Sequence, residues 1–508
     1  MNNGKICVSV CAETVEKLIQ QIRSAEEFAD VIEVRFDCLE KDDVRNLVVN
    51  LPAIEKTYLF TYRPKDQGGK RVLKLGKRLK FWELVFRAVK SDFMIDVEFE
   101  PSLILAVDPH KTHRIVSFHD FEGTPDNLGL IWAGMTELSN AIVKIAVKAD
   151  DITDSIAIWK LVGQAKSEKK QVIPIAMGEA GKWTRILGLA YGAFMTYASL
   201  DAGKETADGQ ITAKDLIETY RVKELDENTQ VYGVIGDPIS QSLSPYMHNP
   251  ALAAAGINAV FLPLSVKNLD EFMRRMVMPK TREVELNFTG FSVTMPHKQA
   301  IMRYLDAIDP TAEKIGAVNT VKVEDDKLIG FNTDAHGFIT PLRSRFGDVR
   351  GSRVAVYGAG GAARACVYAL IQEGAEITVF ARDSEKAGAF SSEFGVDWKQ
   401  LTKDKGRRTT NVSQFDIIVN ATPTGMKGAF EQETLFSAEQ LARVKFVYDL
   451  VTKAVDTPII REAKKAGIPA IGGLEMLIAQ GAKQFEIWTG REAPLDIMRN
   501  SLLLRMET

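Results

Sequence analysis

The chain has 508 residues, of which 45% are hydrophobic and 26% are charged, and its formal net charge at pH 7 is −3. This composition indicates a soluble protein of two or three domains, and the charge argues against nucleic-acid or anionic-membrane binding. No apolar run approaches the ~20 residues needed to span a bilayer. The N-terminus leads directly into a strand-like segment, and the four cysteines have neither metal-site nor disulfide-scaffold spacing. We therefore expect a cytoplasmic protein with no structural metal, or a plastid-stromal one if a transit peptide has been removed.

The first half of the chain contains eight short apolar, β-branched runs. Helical periodicity fills several of the gaps between them, as in Ala12–Phe28 and Asp154–Lys169. Over roughly 220 residues this alternation predicts a (β/α)8 barrel with its active site at the carboxyl ends of the strands. An open doubly wound sheet is the alternative, but the even spacing favours closure. The runs are Ile6–Val10, Val31–Phe36, Tyr58–Tyr62, Phe93–Glu98, Arg114–Phe118, Ile142–Val147, Val172–Met177 and Phe194–Ser199.

Lys144 interrupts the apolar run Ile142–Val147. A buried lysine is costly unless it is paired or used in chemistry, and burial favours the neutral amine, which attacks carbonyl carbons. Each neighbouring polar residue taken singly fits a salt bridge or a core histidine, yet their common position at one end of the barrel favours an active site. These residues are Glu33, Arg35 and Asp37 on one face of the second strand, Arg63, His119 and Arg185.

Five segments, found in the same order in one known family, carry a resemblance to type I 3-dehydroquinate dehydratases: Glu33–Asp37, Thr61–Gly69, Ser117–Phe121, Val143–Ala146 and Ala207–Gln210. The resemblance implies that Lys144 forms a Schiff base with the C3 carbonyl of 3-dehydroquinate, so that carbanion charge is stored as an enamine. Gln67 stands where the family usually has glutamate. The other implied roles are general acid/base for His119, support of that histidine for Glu33, and substrate binding for Arg35, Arg63, Arg185, Gln210 and Thr206, which replaces a lid serine.

Residues 221–230 are polar and predict a domain linker, after which strand–helix alternation restarts. An apolar strand then leads into Gly358-x-Gly360-x-x-Ala363 and a helix, which is the context that makes this motif a strong sign of dinucleotide binding. Arg382 ends the next strand and suits a 2′-phosphate, which favours NADP, while Asp383 beside it leaves NAD open. The predicted cofactor contacts here are Gly358, Ala359, Gly360, Gly361, Ala362 and Arg382.

Four segments before the glycine motif supply hydroxyls, a lysine, an amide and a carboxylate: 242–248, 293–298, 316–320 and 330–334. With 420–426 and 473–480, they resemble shikimate dehydrogenases over about residues 230–508. The resemblance implies that Lys298 and Asp334 transfer a proton to the substrate carbonyl oxygen. Two positions depart from the family: Ala381–Asp383 replaces an Asn-Arg-Thr cofactor signature, and Thr452 replaces a tyrosine. The remaining implied contacts are Ser242, Ser244, Thr294, Asn319 and Gln480 for shikimate, and Thr422 and Met426 for the nicotinamide.

The two resemblances concern consecutive reactions, so the sequence predicts a bifunctional dehydroquinate dehydratase–shikimate dehydrogenase that acts on small molecules. Quinate dehydrogenase is an alternative for the second half, although Ser242 and Ser244 favour shikimate. A metabolite-sensing regulator is the non-enzymatic alternative, and the retained catalytic residues argue against it. The oligomeric state stays open, a monomer included. The predicted domains are a dehydratase barrel (1–222), a substrate-binding domain (231–335), an NADP-binding Rossmann domain (336–470) and C-terminal helices that return to the substrate domain (471–508).

Overall fold

A computed structural model describes residues 2, 4–40, 44–89, 92–106, 113–137, 141–401, 403–404, 407–408, 411–453 and 456–507. Within these ranges no helix is both long and apolar enough to cross a membrane. The chain divides into two compact units, and the sequence-based domain boundaries stay predictions. The first unit comprises Met1–Val231, Pro238–Gln241 and Asn258–Phe288, and the second comprises Tyr232–Asp237, Ser242–Ile257 and Thr289–Thr508.

The first unit contains the predicted barrel. Its parallel strands β1 to β7 pair in chain order, and β8 pairs with β1. The barrel closes between β7 and the segment that leads into β8, where the backbone N–H of Phe194 donates to the carbonyl of Val172 at 2.8 Å. The strands are β1 (Ile6–Val10), β2 (Val31–Arg35), β3 (Thr57–Thr61), β4 (Phe93–Glu98), β5 (His113–Asp120), β6 (Ala141–Lys148), β7 (Val172–Met177) and β8 (Thr196–Ser199). A short strand, Ile211–Thr212, pairs with β8.

Helices follow most of the strands and cover them with apolar faces. The first has Thr14 as its N-cap and buries Leu18, Ile22 and Ala25, which follow one another at helical spacing. Gly192 ends the last barrel helix in the left-handed conformation, with φ 108°. The helices of this unit are Val15–Ala25, Val44–Val49, Leu75–Ala88, Pro101–Ala106, Leu128–Thr136, Ile156–Glu168, Lys182–Tyr191 and Leu269–Phe272.

The barrel interior is built in layers because alternate residues of a strand point to the same side. One buried apolar cluster takes a residue from every strand, including Met94, Ile115 and Ile142. Two residues further along β4, β5 and β6, the inward side chains are Asp96, Ser117 and Lys144. A polar layer therefore lies above an apolar one, toward the carboxyl ends of the strands.

The second unit begins with an antiparallel arrangement. Phe288–Val293 pairs with Thr320–Glu324, which pairs with Lys327–Phe331, and Ala307–Ile308 runs parallel to the last of these. Other elements of this part of the second unit are the strand Gln230–Gly236, from Tyr232 onward, and the helices Ser244–Ala254, Pro310–Ile315 and Asp334–Phe346. The strand Ala259–Ser265 belongs to the first unit.

The rest of the second unit is a doubly wound parallel sheet. Its order, in sequence rank, is 3-2-1-4-5-6, so the direction of winding reverses between the first strand and the fourth. In the order in which they lie, the strands are Asp397–Gln400, Glu376–Ala381, Arg353–Tyr357, Ile417–Asn420, Phe446–Asp449 and Ala470–Ile471. The helices are Gly361–Gln372, Ser384–Phe394, Ala438–Leu441, Pro458–Lys465, Gly473–Thr489 and Leu495–Glu507.

Candidate active sites

The first site lies in the polar layer of the barrel, around Lys144. The Nζ of Lys144 donates to Oδ2 of Asp96 at 2.9 Å and lies 4.0 Å from the ring centroid of Tyr197. Arg63 donates to the same oxygen at 2.7 Å, and Ser117 donates to the other carboxylate oxygen at 2.6 Å. Burial alone raises the pKa of Asp96, but the charges of Arg63 and Lys144 lower it well below its usual range. The lysine is thus buried beside an ionised carboxylate.

His119, at the end of β5, shares Arg63 with this carboxylate. One guanidinium nitrogen of Arg63 lies 3.1 Å from Nδ1 of His119. Because a guanidinium can only donate, Nδ1 accepts, and the neutral ring carries its proton on Nε2. Burial, followed by the charges of Arg63 and Lys144, lowers the pKa of His119 well below 6.5. The imidazole is therefore neutral near pH 7 and suited to moving a proton.

The three polar residues of the β2 segment make different contacts. Glu33 accepts hydrogen bonds from Ser9 and, at 2.8 Å, from Thr61, and its predicted support of His119 stays a prediction. Arg35 donates to both oxygens of Asp37, at 2.9 and 2.8 Å. Burial alone raises the pKa of Asp37, but the hydrogen bonds and charge of Arg35 lower it. Arg35 is thus held in a fixed, buried ion pair.

Two loops lie at the carboxyl ends of the strands. Asp37 accepts from the backbone N–H of Lys70 at 3.0 Å, and Gln67 accepts from the backbone N–H of His119 at 3.2 Å. In the other loop, Gln210 accepts from the N–H of Thr206 at 2.8 Å. These bonds anchor the loop that carries Gln67 and the loop that carries Thr206 and Gln210.

Arg185 is a buried cation with an N–H group that is not hydrogen-bonded to any described residue. It is 2% exposed, and its Nε has no hydrogen-bond partner among the described residues. Burial lowers the pKa of Arg185 to about 10. A buried guanidinium with a spare donor is suited to a substrate carboxylate or hydroxyl, so its predicted role is chemically reasonable.

Sequence reasoning missed Asp96 and Ser117 as members of this site and did not foresee a disulfide. Asp96 interrupts an apolar strand just as Lys144 does, and that signal could have identified it. Cys11 and Cys38 follow β1 and β2 and form a disulfide with Cα atoms 5.5 Å apart. Their spacing of 27 residues gave no indication of it, because strand pairing brings them together.

The second site is centred on an ion pair between Lys298 and Asp334, the predicted catalytic pair. Asp334 opens a helix, and its other oxygen accepts from Nδ2 of Asn319 at 2.8 Å. The same amide group lies 3.4 Å from Oε1 of Gln480. Four predicted residues are thereby joined in one network around a lysine that can deliver a proton.

The three predicted hydroxyl residues of this site lie on other segments. Ser242 accepts from the backbone N–H of Ser244 at 3.4 Å, at the start of the helix Ser244–Ala254. The backbone N–H of Thr294 donates to the carbonyl of Ile235 at 3.0 Å. Their contact with substrate stays a prediction.

The predicted cofactor turn lies where the parallel sheet reverses its winding. Gly358 has φ 122°, and a Cβ there would lie 2.6 Å from the carbonyl oxygen of Ala421, so only glycine fits. A Cβ on Gly360 would meet open space, and the helix begins at Gly361. Backbone N–H groups at a helix N-terminus with room beside them suit a pyrophosphate. Gly361 also approaches Lys298, because a Cβ there would lie 3.1 Å from the lysine Cδ. The residues present therefore fit a dinucleotide next to the Lys298 site.

A buried polar network supports the predicted nicotinamide loop. Asn420 donates to Asp449 at 2.8 Å and to the carbonyl of Thr424 at 3.0 Å, and it accepts from the hydroxyl of Thr422 at 2.7 Å. The loop turns at Met426, whose N–H donates to the carbonyl of Pro423 at 2.9 Å. Burial raises the pKa of Asp449 to about 6. Arg382, the predicted 2′-phosphate contact, is exposed directly after its strand.

Comparisons with protein families match almost the whole chain. Residues 6–227 match type I 3-dehydroquinase. Residues 234–321 match the shikimate dehydrogenase substrate-binding domain, and residues 341–451 match shikimate/quinate 5-dehydrogenase. Residues 473–503 match the shikimate 5′-dehydrogenase C-terminal domain.

One relative matches nearly the whole chain, and others match only the dehydrogenase part. The chain is 32% identical over 523 residues to a chloroplastic bifunctional 3-dehydroquinate dehydratase/shikimate dehydrogenase of Arabidopsis thaliana, covering 98% of this chain and 84% of that protein. It is 39% identical over 285 residues to shikimate dehydrogenase (NADP(+)) of Methanocaldococcus jannaschii, covering 55% of this chain and 98% of that one. A crystal structure of a shikimate dehydrogenase in complex with NADP+ matches with a TM-score of 0.50 and 39% identity, over 56% of this chain and 97% of that chain.

Proposed function

The chain belongs to the family of bifunctional 3-dehydroquinate dehydratase/shikimate dehydrogenases, and from this premise we propose that its two sites catalyse consecutive reactions. The barrel dehydrates 3-dehydroquinate to 3-dehydroshikimate, and the second site reduces 3-dehydroshikimate to shikimate with NADPH. The observation that supports the proposal is that Lys144 is buried against Asp96 in the barrel, and that Lys298 pairs with Asp334 in the second unit.

In the barrel, the ammonium of Lys144 first gives up a proton, and the free amine attacks the C3 carbonyl carbon. The carbonyl oxygen then leaves as water with that proton and a second one from the nitrogen, which gives an iminium. His119 takes the proton next to the iminium, and the bonding electrons form an enamine. The enamine expels the β-hydroxyl, which leaves as water with a proton from His119, and hydrolysis of the imine returns Lys144. Arg185, with its spare donor, is suited to hold a substrate oxygen during these steps.

In the second site, bound NADPH supplies the hydride. Lys298 holds a proton for the carbonyl oxygen, and Asp334 orients the lysine through their ion pair. Asn319 fixes Asp334 from its other side and brings Gln480 into the same network. Because the lysine is paired but still partly exposed, it can exchange its proton with solvent after each turnover.

Two finer assignments concern the cofactor and the cellular compartment. Arg382 lies exposed after its strand, where it can pair with a 2′-phosphate, so NADP is preferred over NAD. We place the enzyme in the cytoplasm, or in the plastid stroma if a transit peptide has been removed.

The test is consumption of NADPH by the purified protein on addition of 3-dehydroquinate alone, followed by addition of 3-dehydroshikimate. Consumption from the first substrate requires both sites to act in sequence. Consumption only after the second addition would leave the dehydrogenase and reject the dehydratase. Oxidation of quinate with NADP+ that is faster than oxidation of shikimate would reject the substrate assigned to the second site.

A further inference from the structure

We propose that Asp96 and Arg63 form a permanent ion pair that positions Lys144 and keeps the barrel site electrically balanced while the lysine nitrogen alternates between cationic and neutral forms. The inference rests on the proposed Schiff-base dehydration and deepens it. It makes Asp96 and Arg63 positioning residues, whether or not Arg63 also contacts the substrate.

The contacts show a carboxylate shared by two cations. One oxygen of Asp96 accepts from Lys144 at 2.9 Å and from Arg63 at 2.7 Å. The other oxygen accepts from the hydroxyl of Ser117 at 2.6 Å. Asp96 is 1% exposed and Arg63 is 3% exposed, so neither charge has ready access to water. The carboxylate is therefore fixed by donors from β5, from β6 and from the segment that follows β3.

The reaction changes the charge on the lysine nitrogen several times. Formation of the iminium is balanced as ammonium plus ketone giving iminium plus water, since the two protons lost by nitrogen leave with the carbonyl oxygen. Between these two cations the nitrogen must be a neutral amine in order to attack, and it becomes neutral again in the enamine. A buried carboxylate whose sole partner was this nitrogen would be left unpaired at each neutral stage, which is strongly unfavourable.

Arg63 removes this difficulty because a guanidinium keeps its charge throughout. Asp96 stays paired with Arg63 when the nitrogen is neutral and stabilises the nitrogen when it is cationic. Arg63 also lies 3.1 Å from Nδ1 of His119. The same ion pair thus holds the nucleophile on one side and sets the proton position of the acid/base on the other.

The deciding experiment compares Asp96→Asn with Glu98→Gln in the full chain. Glu98 is the matched control because it lies on the same strand and is also buried, but its carboxylate pairs with Arg78 at 3.0 Å. Among the residues that the structure describes, it makes no hydrogen bond to Lys144. We expect Asp96→Asn to slow trapping of the 3-dehydroquinate adduct on Lys144 by borohydride at least about 100-fold. KM for 3-dehydroquinate should change by less than about threefold, and Glu98→Gln should trap within about threefold of wild type.

Several outcomes would overturn the proposal: wild-type trapping by Asp96→Asn, an effect of Asp96→Asn confined to KM, or an equal loss in Glu98→Gln. Reduction of 3-dehydroshikimate by the same samples reports on intact second sites. Absence of an adduct in the wild type would instead reject the Schiff-base function itself.

A second pair of variants serves if Asp96→Asn does not fold. Arg63→Lys keeps a positively charged side chain beside Asp96, whereas Arg63→Met does not. The proposal expects trapping by Arg63→Lys to exceed that by Arg63→Met at least about tenfold. Equal trapping by the two variants would contradict it.

Discussion

The two active sites each use a lysine beside an aspartate, but they bury the pair to different extents. The side chains of Lys144 and Asp96 are 6% and 1% exposed, whereas those of Lys298 and Asp334 are 18% and 7% exposed. In the mechanism proposed for the barrel, the lysine itself forms and breaks a covalent bond, and further buried charges line the site. In the mechanism proposed for the second site, the lysine moves only a proton. The lysine to which covalent chemistry is assigned thus lies in the more deeply buried ion pair of the two.

The largest effect is expected from Lys144→Ala. Loss of the nucleophile should lower the dehydratase kcat by at least about 10⁴-fold, while reduction of 3-dehydroshikimate stays at the wild-type rate. Steady-state assay of each reaction on one sample checks this. In the wild type, borohydride with 3-dehydroquinate should leave a covalent adduct on Lys144, and full inactivation with an unmodified Lys144 would contradict the assignment.

Lys298→Ala is the complementary change in the second site. Removing the proton donor should lower kcat for 3-dehydroshikimate reduction about 10²- to 10⁴-fold and leave the dehydratase untouched. Lys322→Ala, which removes a lysine paired with Glu324 on a strand of the same unit, is the control and should retain activity. Equal activity of Lys298→Ala and Lys322→Ala would reject the assigned role.

The cofactor assignment predicts a smaller change. Arg382→Ala should raise KM for NADPH roughly 10- to 100-fold, because a charge-assisted contact to the 2′-phosphate is lost. KM for NADH, which has no such phosphate, should change by less than about threefold. Similar increases in KM for NADPH and for NADH would show that Arg382 does not bind the 2′-phosphate.

Asp449 gives a pH-dependent prediction for the second unit. Its pKa is raised by burial from 3.8 to about 6, so between these pH values the folded state holds a proton that the unfolded state has lost. The free energy of unfolding should therefore fall by about 3 kcal/mol as pH rises through this window and change no further above it. Chemical denaturation from pH 4 to pH 8 measures this, with Asp449→Asn as the variant that lacks the fall. An identical pH dependence in the two proteins would contradict the prediction.

The smallest effect concerns Gln67, where the dehydratase family usually has glutamate. Gln67→Glu keeps an oxygen that accepts from the backbone N–H of His119, and it adds a negative charge next to that N–H. We expect the dehydratase rate to rise a few-fold, about 2- to 5-fold, since a charged acceptor holds that N–H more strongly. A lower rate would show that the loop of this chain is adapted to the neutral side chain.

The pattern of the sequence was sufficient for the architecture. Eight apolar runs at regular intervals predicted the barrel, and the structure confirms it with strand ends that differ by a few residues, as for Thr57–Thr61 against Tyr58–Tyr62. The glycine motif likewise predicted a strand–turn–helix unit, which runs from Arg353–Tyr357 into Gly361–Gln372. Both succeed because they depend on local periodicity and on a backbone conformation that only glycine tolerates.

The partners of the site residues were not accessible in the same way. Lys144 stood out in its strand, but nothing local indicated that its partner is Asp96, which is 48 residues away. Nor could the sequence show that Arg63 contacts both Asp96 and His119. Residue types and their strand positions predict which side chains reach a site, whereas pairing depends on strand register and barrel stagger.

The sequence by itself determined the fold class and the dinucleotide turn, since these follow from periodicity and glycine geometry. It singled out Lys144 by the cost of burying a lysine, whereas Lys298 was identified through the family resemblance. The tertiary structure alone decided that one buried carboxylate serves Lys144 and Arg63 together, that the ring of His119 carries its proton on Nε2, and that Cys11 and Cys38 meet. The physical reason is common to all three. Hydrogen bonds, ion pairs and a disulfide form only between atoms that lie a few ångströms apart, and strand pairing in the folded sheet brings together residues that are distant in sequence.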